Sequence, residues 1–108
     1  MANTFKSTAN VNIEVTSNTV YTCPSATQTT LIGMTLSNKS NGTVTANVFL
    51  RRSGTDYSII SNAPILTGSS LVPIGGDQKV VLQAADSVKI TVSANASVDT
   101  VVSLLEIA

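Results

Sequence analysis

The sequence predicts an all-β fold, an antiparallel two-sheet β-sandwich of jelly-roll or immunoglobulin-like topology. Three observations carry that expectation. Apolar residues recur with a period close to two along almost the whole chain, and Val, Ile and Thr dominate those runs, as they do in half-buried strands. Gly, Pro, Asn and Asp break the runs roughly every 8–12 residues, the rhythm of a sandwich. The chain of 108 residues is the length of one domain, and the breaks divide it into about nine short strands.

Asn10 to Thr16 opens the series, with Val11, Ile13 and Val15 on one face and Asn12 and Glu14 on the other. Thr19 to Cys23 follows and is stopped by Cys23-Pro24-Ser25, because proline cannot donate to a ladder. Gln28 to Ser37 is expected to point Ile32, Met34 and Leu36 inward and Gly33, Thr35 and Ser37 outward. Asn38-Lys39-Ser40-Asn41-Gly42 reads as a turn, since Asn-Gly tolerates positive φ, and with Thr43 to Arg51 beyond it the strongest hairpin signal lies here. That next strand alternates through Val44, Ala46, Val48 and Leu50.

Ser53-Gly54-Thr55-Asp56 turns the chain into Tyr57 to Ser61, and Asn62-Ala63-Pro64 and Thr67-Gly68-Ser69 interrupt a looser stretch of short edge strands around Ile65 and Leu66. Leu71 to Ile74 reaches the turn Gly75-Gly76-Asp77, Lys79 to Gln83 forms a strand, and Ala84-Ala85-Asp86 makes a corner. Ser87 to Ser93 places Val88, Ile90 and Val92 inside, and Asn95-Ala96-Ser97 leads to the last strand, Val98 to Ile107. This strand is apolar on both faces, with Val101, Leu105 and Ile107 on one and Val102 and Leu104 on the other, and should be central or pressed against another surface. Residues 10–108 form a single domain on this reading. Residues 1–9 precede it as an extended N-terminal arm or, alternatively, a frayed terminus.

Six basic side chains balance six acidic ones, and charged residues are only 11% of the chain. Fourteen Ser, 15 Thr and 9 Asn wet the surface instead. With zero net charge and a pI near 6.0 there is no field to steer the chain toward nucleic acid or an anionic membrane, so neither is an expected partner. Weak self-repulsion favours association. The start, Met-Ala-Asn-Thr-Phe-Lys-Ser-Thr, lacks the apolar region of a secretory signal, which predicts a chain made and kept in a cytoplasm. No run reaches the roughly 18 apolar residues of a membrane-spanning helix.

The sequence offers little chemistry. There is no His, the commonest general base and metal ligand. Glu14, Asp56, Asp77, Asp86, Asp99 and Glu106 are scattered, and Asp77 and Asp86 read as turn formers that accept backbone N–H groups. Cys23 has no cation beside it in sequence to activate it and reads as a small buried residue. Nucleophile elbow, Walker loop and dinucleotide fingerprint are absent. The carboxylates follow no Ca²⁺ loop spacing, which leaves only an ion held by loop carboxylates from several strands as a metal reading. Three glycosylation triplets, beginning at Asn38, Asn41 and Asn95, are expected by chance in so hydroxyl-rich a chain. No catalytic residue, metal or cofactor is predicted, and a small hydrolase or lyase on a jelly roll is disfavoured because His and paired carboxylates are missing.

Binding or assembly through surfaces is the expected function. The candidate contact residues are Phe5 in the arm, Val102 and Leu104 in the final strand, and the adjacent pair Arg51 and Arg52 as an anchor for an acidic patch on a neighbour, with a solvated strand end as the alternative for the arginines.

Several segments taken together resemble small virion structural proteins of tailed bacteriophages, particularly those infecting marine cyanobacteria. The matching segments are Thr19-Val20-Tyr21-Thr22-Cys23-Pro24, Leu31-Ile32-Gly33-Met34-Thr35-Leu36, Gly68-Ser69-Ser70-Leu71, Lys79-Val80-Val81-Leu82, Ala85-Asp86-Ser87-Val88-Lys89-Ile90 and Val102-Ser103-Leu104-Leu105-Glu106-Ile107. The resemblance implies a β-sandwich module present in many copies on a particle assembled in the host cytoplasm. As a capsid decoration or cement protein it would bind the major capsid protein, or another virion protein, as a homo-oligomer, with a trimer favoured. The alternative is an adaptor or host-binding module of the tail, neck or fibres.

Overall fold

The computed structural model describes residues 3–16, 18–75, 79–95 and 97–108. It contains the strands β1 (Asn3–Asn10), β2 (Asn18–Thr22), β3 (Gln28–Asn38), β4 (Val44–Arg52), β5 (Thr55–Ile65), β6 (Ser70–Ile74), β7 (Val80–Leu82), β8 (Ser87–Val92) and β9 (Val98–Ile107). They form two sheets, one ordered β1-β9-β3-β6 with β7 also on β3, the other ordered β2-β8-β4-β5. Every pairing is antiparallel. The pairing is nested: β1 with β9, β2 with β8, β3 with β6 and β7, β4 with β5. A hairpin wrapped on itself in this way is a jelly roll, which decides between the two topologies left open by the sequence.

The core lies between the sheets and is filled by Leu31, Met34 and Leu36 of β3, Val44, Ala46 and Val48 of β4, Val88, Ile90 and Val92 of β8, and Val98, Val102 and Leu104 of β9. Each fully buried Leu or Ile contributes about 1.5–3 kcal/mol relative to exposure. β9 is interior to its sheet, flanked by β1 and β3.

Three local expectations are corrected. Asn10 to Thr16 is not a strand. The ladder of β1 on β9 ends at the Asn10–Thr100 pair, Asn12 takes φ of 56°, and the Asp99 carboxylate and the Val98 carbonyl then accept the N–H groups of Asn12 and Ile13 at 2.8 Å each. Ile13 is buried while Val11 and Val15 are exposed, so the apparent alternation marks one plug residue. The strand lies just before, in residues read as an arm, and runs in register with β9 from Asn3 to Asn10.

The second correction concerns Asn38 to Gly42. β3 and β4 belong to different sheets, so this segment carries the chain across the sandwich instead of closing a hairpin. Neither Asn41 nor Gly42 has positive φ, which a two-residue primed turn requires. The buried Asn38 side chain holds the corner: its Nδ2 donates to the carbonyls of Gly42 and Ile65 (2.8 Å each), and its Oδ1 accepts from the N–H and hydroxyl of Ser40 (2.9 and 2.7 Å). The primed turn is at Ser53-Gly54 instead, with φ of 52° and 80°, joining Arg52 to Thr55 across β4 and β5.

The third correction is the inward face of β3. A bulge between Leu31 and Gly33 shifts the register, so Leu31 is buried and Ile32 only half-buried, while Met34 and Leu36 stay inside. The expected turn at Gly75-Gly76-Asp77 lies largely outside the described residues, as does Ala96 in the connection to β9.

Candidate assembly interface

The five contact residues picked from sequence do not converge. Phe5 projects from the outward face of β1 and is 76% exposed. Val102 and Leu104 face the second sheet and are 0% and 1% exposed, so neither side chain is available to a partner. The assignment of these two is corrected by the strand's parity: the outward residues of β9 are Asp99, Val101, Ser103, Leu105 and Ile107. Arg51 and Arg52 lie in the other sheet and each binds an acid of the same chain. Arg51 Nη1 is 2.9 Å from Asp56 Oδ1 across the hairpin. Arg52 grips both carboxylate oxygens of the buried Asp86, whose Oδ2 also accepts the Gln83 N–H. An acidic patch on a neighbour would therefore have to compete with these internal partners.

What the topology does bring together is the outward face of the first sheet. Register places Phe5 of β1, Leu105 of β9, Thr30 of β3 and Val81 of β7 in one row, and Ala9, Val101 and Thr35 in a second. Val101 is 48% and Val81 50% exposed. Outward positions of β1, β9 and β3 carry one charge, Asp99 at the end of β9, and it is bound to Lys39 Nζ at 3.0 Å. The outward face of the second sheet differs, bearing Lys89 beside Phe49 and Arg51 two residues along β4. Large apolar side chains on a solvent-facing sheet with few charges are what a protein contact surface requires.

A polar cluster fixes the edge of this face. Glu106, on the inward side of β9, accepts from the Tyr21 hydroxyl of β2 and lies 2.9 Å from Lys6 Nζ of β1, while Tyr21 Oη is also 2.8 Å from Thr29 Oγ1 of β3. Both sheets are thereby tied at one end through the edge strands β1 and β2. Cys23 is buried as expected, with Sγ 3.2 Å from Thr29 Oγ1. Lys6 and Glu106 are a hundred positions apart in the chain, and no local pattern announces such a contact. Among the described residues every buried side-chain N or O has a partner, and no three His, Cys, Asp or Glu side chains cluster to hold a metal.

The electrostatics follow from these contacts. The Tyr21 hydrogen bond and then the Lys6 ammonium hold the Glu106 carboxyl below its ordinary range. The Arg52 guanidinium does the same for Asp86, and the Asn12 N–H, then Lys39, for Asp99. Burial, reinforced by the bond to Glu106, pushes Tyr21 up to about 12. Carboxyls depressed in the folded state stabilise it above their unfolded pKa, about 4, and lose that contribution as pH falls through the lower folded value. A raised Tyr21 contributes fully below its ordinary 10.0 and loses this as pH climbs toward about 12. The urea midpoint is therefore expected to be flat from pH 5 to 9 and to fall on both sides. Tyr21→Phe should reduce the alkaline fall, and an unchanged profile in that variant would remove Tyr21 as its cause.

Neither a protein-family model nor any curated protein matches the chain. Solved structures do share its fold. A chain of the Bacillus endospore appendages, described as disulfide-linked pili, superposes with a TM-score of 0.55 at 15% identity over 96% of this chain and 85% of that one. A chain of the T13 IBDV viral particle superposes with a TM-score of 0.57 at 10% identity over 96% of this chain, which spans 30% of the viral one. At such identities the likeness is one of fold.

Proposed function

We propose that this chain is a structural subunit of a virus particle, a non-catalytic decoration or cement protein that binds the major capsid protein of a phage head through the outward face of its β1-β9-β3 sheet. The observation that carries this reading is that face, with Phe5, Val81 and Val101 exposed on a surface whose one charge, Asp99, is paired with Lys39. The resemblance of its strand segments to phage virion proteins supports it. So does the use of the same fold in a viral particle and in a pilus, both built from subunits. The action is mechanical: apolar area buried across neighbouring subunits, at about 25 cal/mol per Å², stabilises the shell only in its assembled form. Assembly takes place in the host cytoplasm on this reading, without cofactor, nucleic acid or membrane.

Quantitative mass spectrometry of purified particles tests the placement. A copy number comparable to that of the major capsid protein is expected. A small number per particle would transfer the chain to the tail, neck or fibres, and absence from the particle would remove the virion reading. The face is tested by Val101→Asp, which places a charge at an exposed position and should leave the urea midpoint within about 0.5 kcal/mol of the parent. Binding to particles should weaken by at least about 30-fold, or 2 kcal/mol, because the carboxylate must be desolvated there. Undiminished binding would show that another surface makes the contact.

A further inference from the structure

We infer that the free edge of β1 is a two-fold seam at which the first sheet of one copy continues into that of a second copy. This rests on reading the chain as an assembling subunit and specifies how it associates with itself. Unpaired edges invite strand addition unless something blocks it. The other edges are blocked: β5 contains Pro64 and a positive φ at Asn62, β2 shifts register between Thr19 and Tyr21, β6 contains Pro73, and β7 spans only Val80–Leu82. β1 runs in unbroken register from Asn3 to Asn10 without Pro, Gly or bulge. Its one charge, Lys6, points inward and is held by Glu106, so the usual lysine guard on an edge is neutralised within the chain.

The sequence of β1 selects the register. Across a two-fold seam directly opposed residues share a face, so the strand must be centred on a residue. Centring on Lys6 sets two ammonium groups opposite one another. Centring on Phe5 or Thr8 overlaps fewer residues than centring on Ser7, which pairs Thr4 to Asn10 along its length. With Ser7 at the centre, Phe5 lies opposite the second copy's Ala9. The row through Leu105 and Phe5 then continues into the second copy's row of Ala9, Val101 and Thr35, doubling the apolar face. The elementary unit becomes a dimer in place of the trimer expected from sequence.

Sedimentation equilibrium and cysteine cross-linking of the full chain test this, with Cys23 buried and out of reach. A dimer is expected. Ser7→Cys should oxidise to a linked dimer at least tenfold faster than Ser61→Cys, an exposed control on β5, whereas Phe5→Cys should be no faster than that control. A monomer, a trimer, equal rates at positions 7 and 61, or faster linking at position 5 would each overturn the seam as described. None of these outcomes alters the number of copies on a particle, so the seam and the virion reading fail separately.

Discussion

Leu104→Asp is expected to leave no folded protein at 25 °C. Leu104 is 1% exposed, opposite Leu31 on β3, in the central strand of its sheet. Truncation to Ala alone costs about 2–5 kcal/mol in lost burial and residual cavity. An ionised carboxylate adds a desolvation penalty of several kcal/mol, and the cation opposite it on β1, Lys6, is already held by Glu106. A domain of this length has about 5–15 kcal/mol in total. The double variant Val102→Asp and Leu104→Asp, which reads from sequence alone as a probe of association, should therefore report unfolding. Circular dichroism and urea titration separate the cases: a cooperative transition at the parent midpoint in Leu104→Asp would contradict the inward orientation of this side chain. Leu104→Ala, still folded, should lower stability by about 2–5 kcal/mol.

Asn38→Ala is expected to cost about 2–3 kcal/mol. One side chain there closes the crossover between sheets. Its removal strips the Ile65 carbonyl, at a residue 2% exposed, and the Ser40 N–H of their partners. An orphaned buried group costs about 1–3 kcal/mol, whereas an exposed one recovers water. The Gly42 carbonyl lies at an exposed residue and should add little. Ser40→Ala, which loses only half-exposed bonds, is expected near 0.5–1 kcal/mol. Equal midpoints for Asn38→Ala and Ser40→Ala would show that the buried carbonyl is not the seat of the effect. The same burial takes Asn38 out of consideration as a glycosylation acceptor, although its triplet matches.

Strand content was legible because it depends on local alternation. Ser87 to Val92 alternates so regularly that its inward residues follow from spacing. The candidate interface was legible only in part. Phe5 was found as a lone aromatic, but the final strand offered two apolar faces, and spacing alone cannot say which is turned toward a second sheet. Val81 and Val101 emerge as surface only once β7 and β1 are placed beside β3 and β9. The lock of Lys6, Tyr21 and Glu106 has no sequence signature, since its members are polar residues of ordinary strands brought together by closure of the roll.

The sequence by itself determined that this chain is an all-β sandwich with a neutral, hydroxyl-rich surface, because period-two burial and charge are properties of single segments. Only the tertiary structure decided that β3 and β4 part into different sheets, that residues 3–10 pair along β9, and that Val101 rather than Val102 faces outward. Those outcomes depend on which distant strand supplies each ladder's partner and on one buried amide at Asn38, and a local pattern encodes neither.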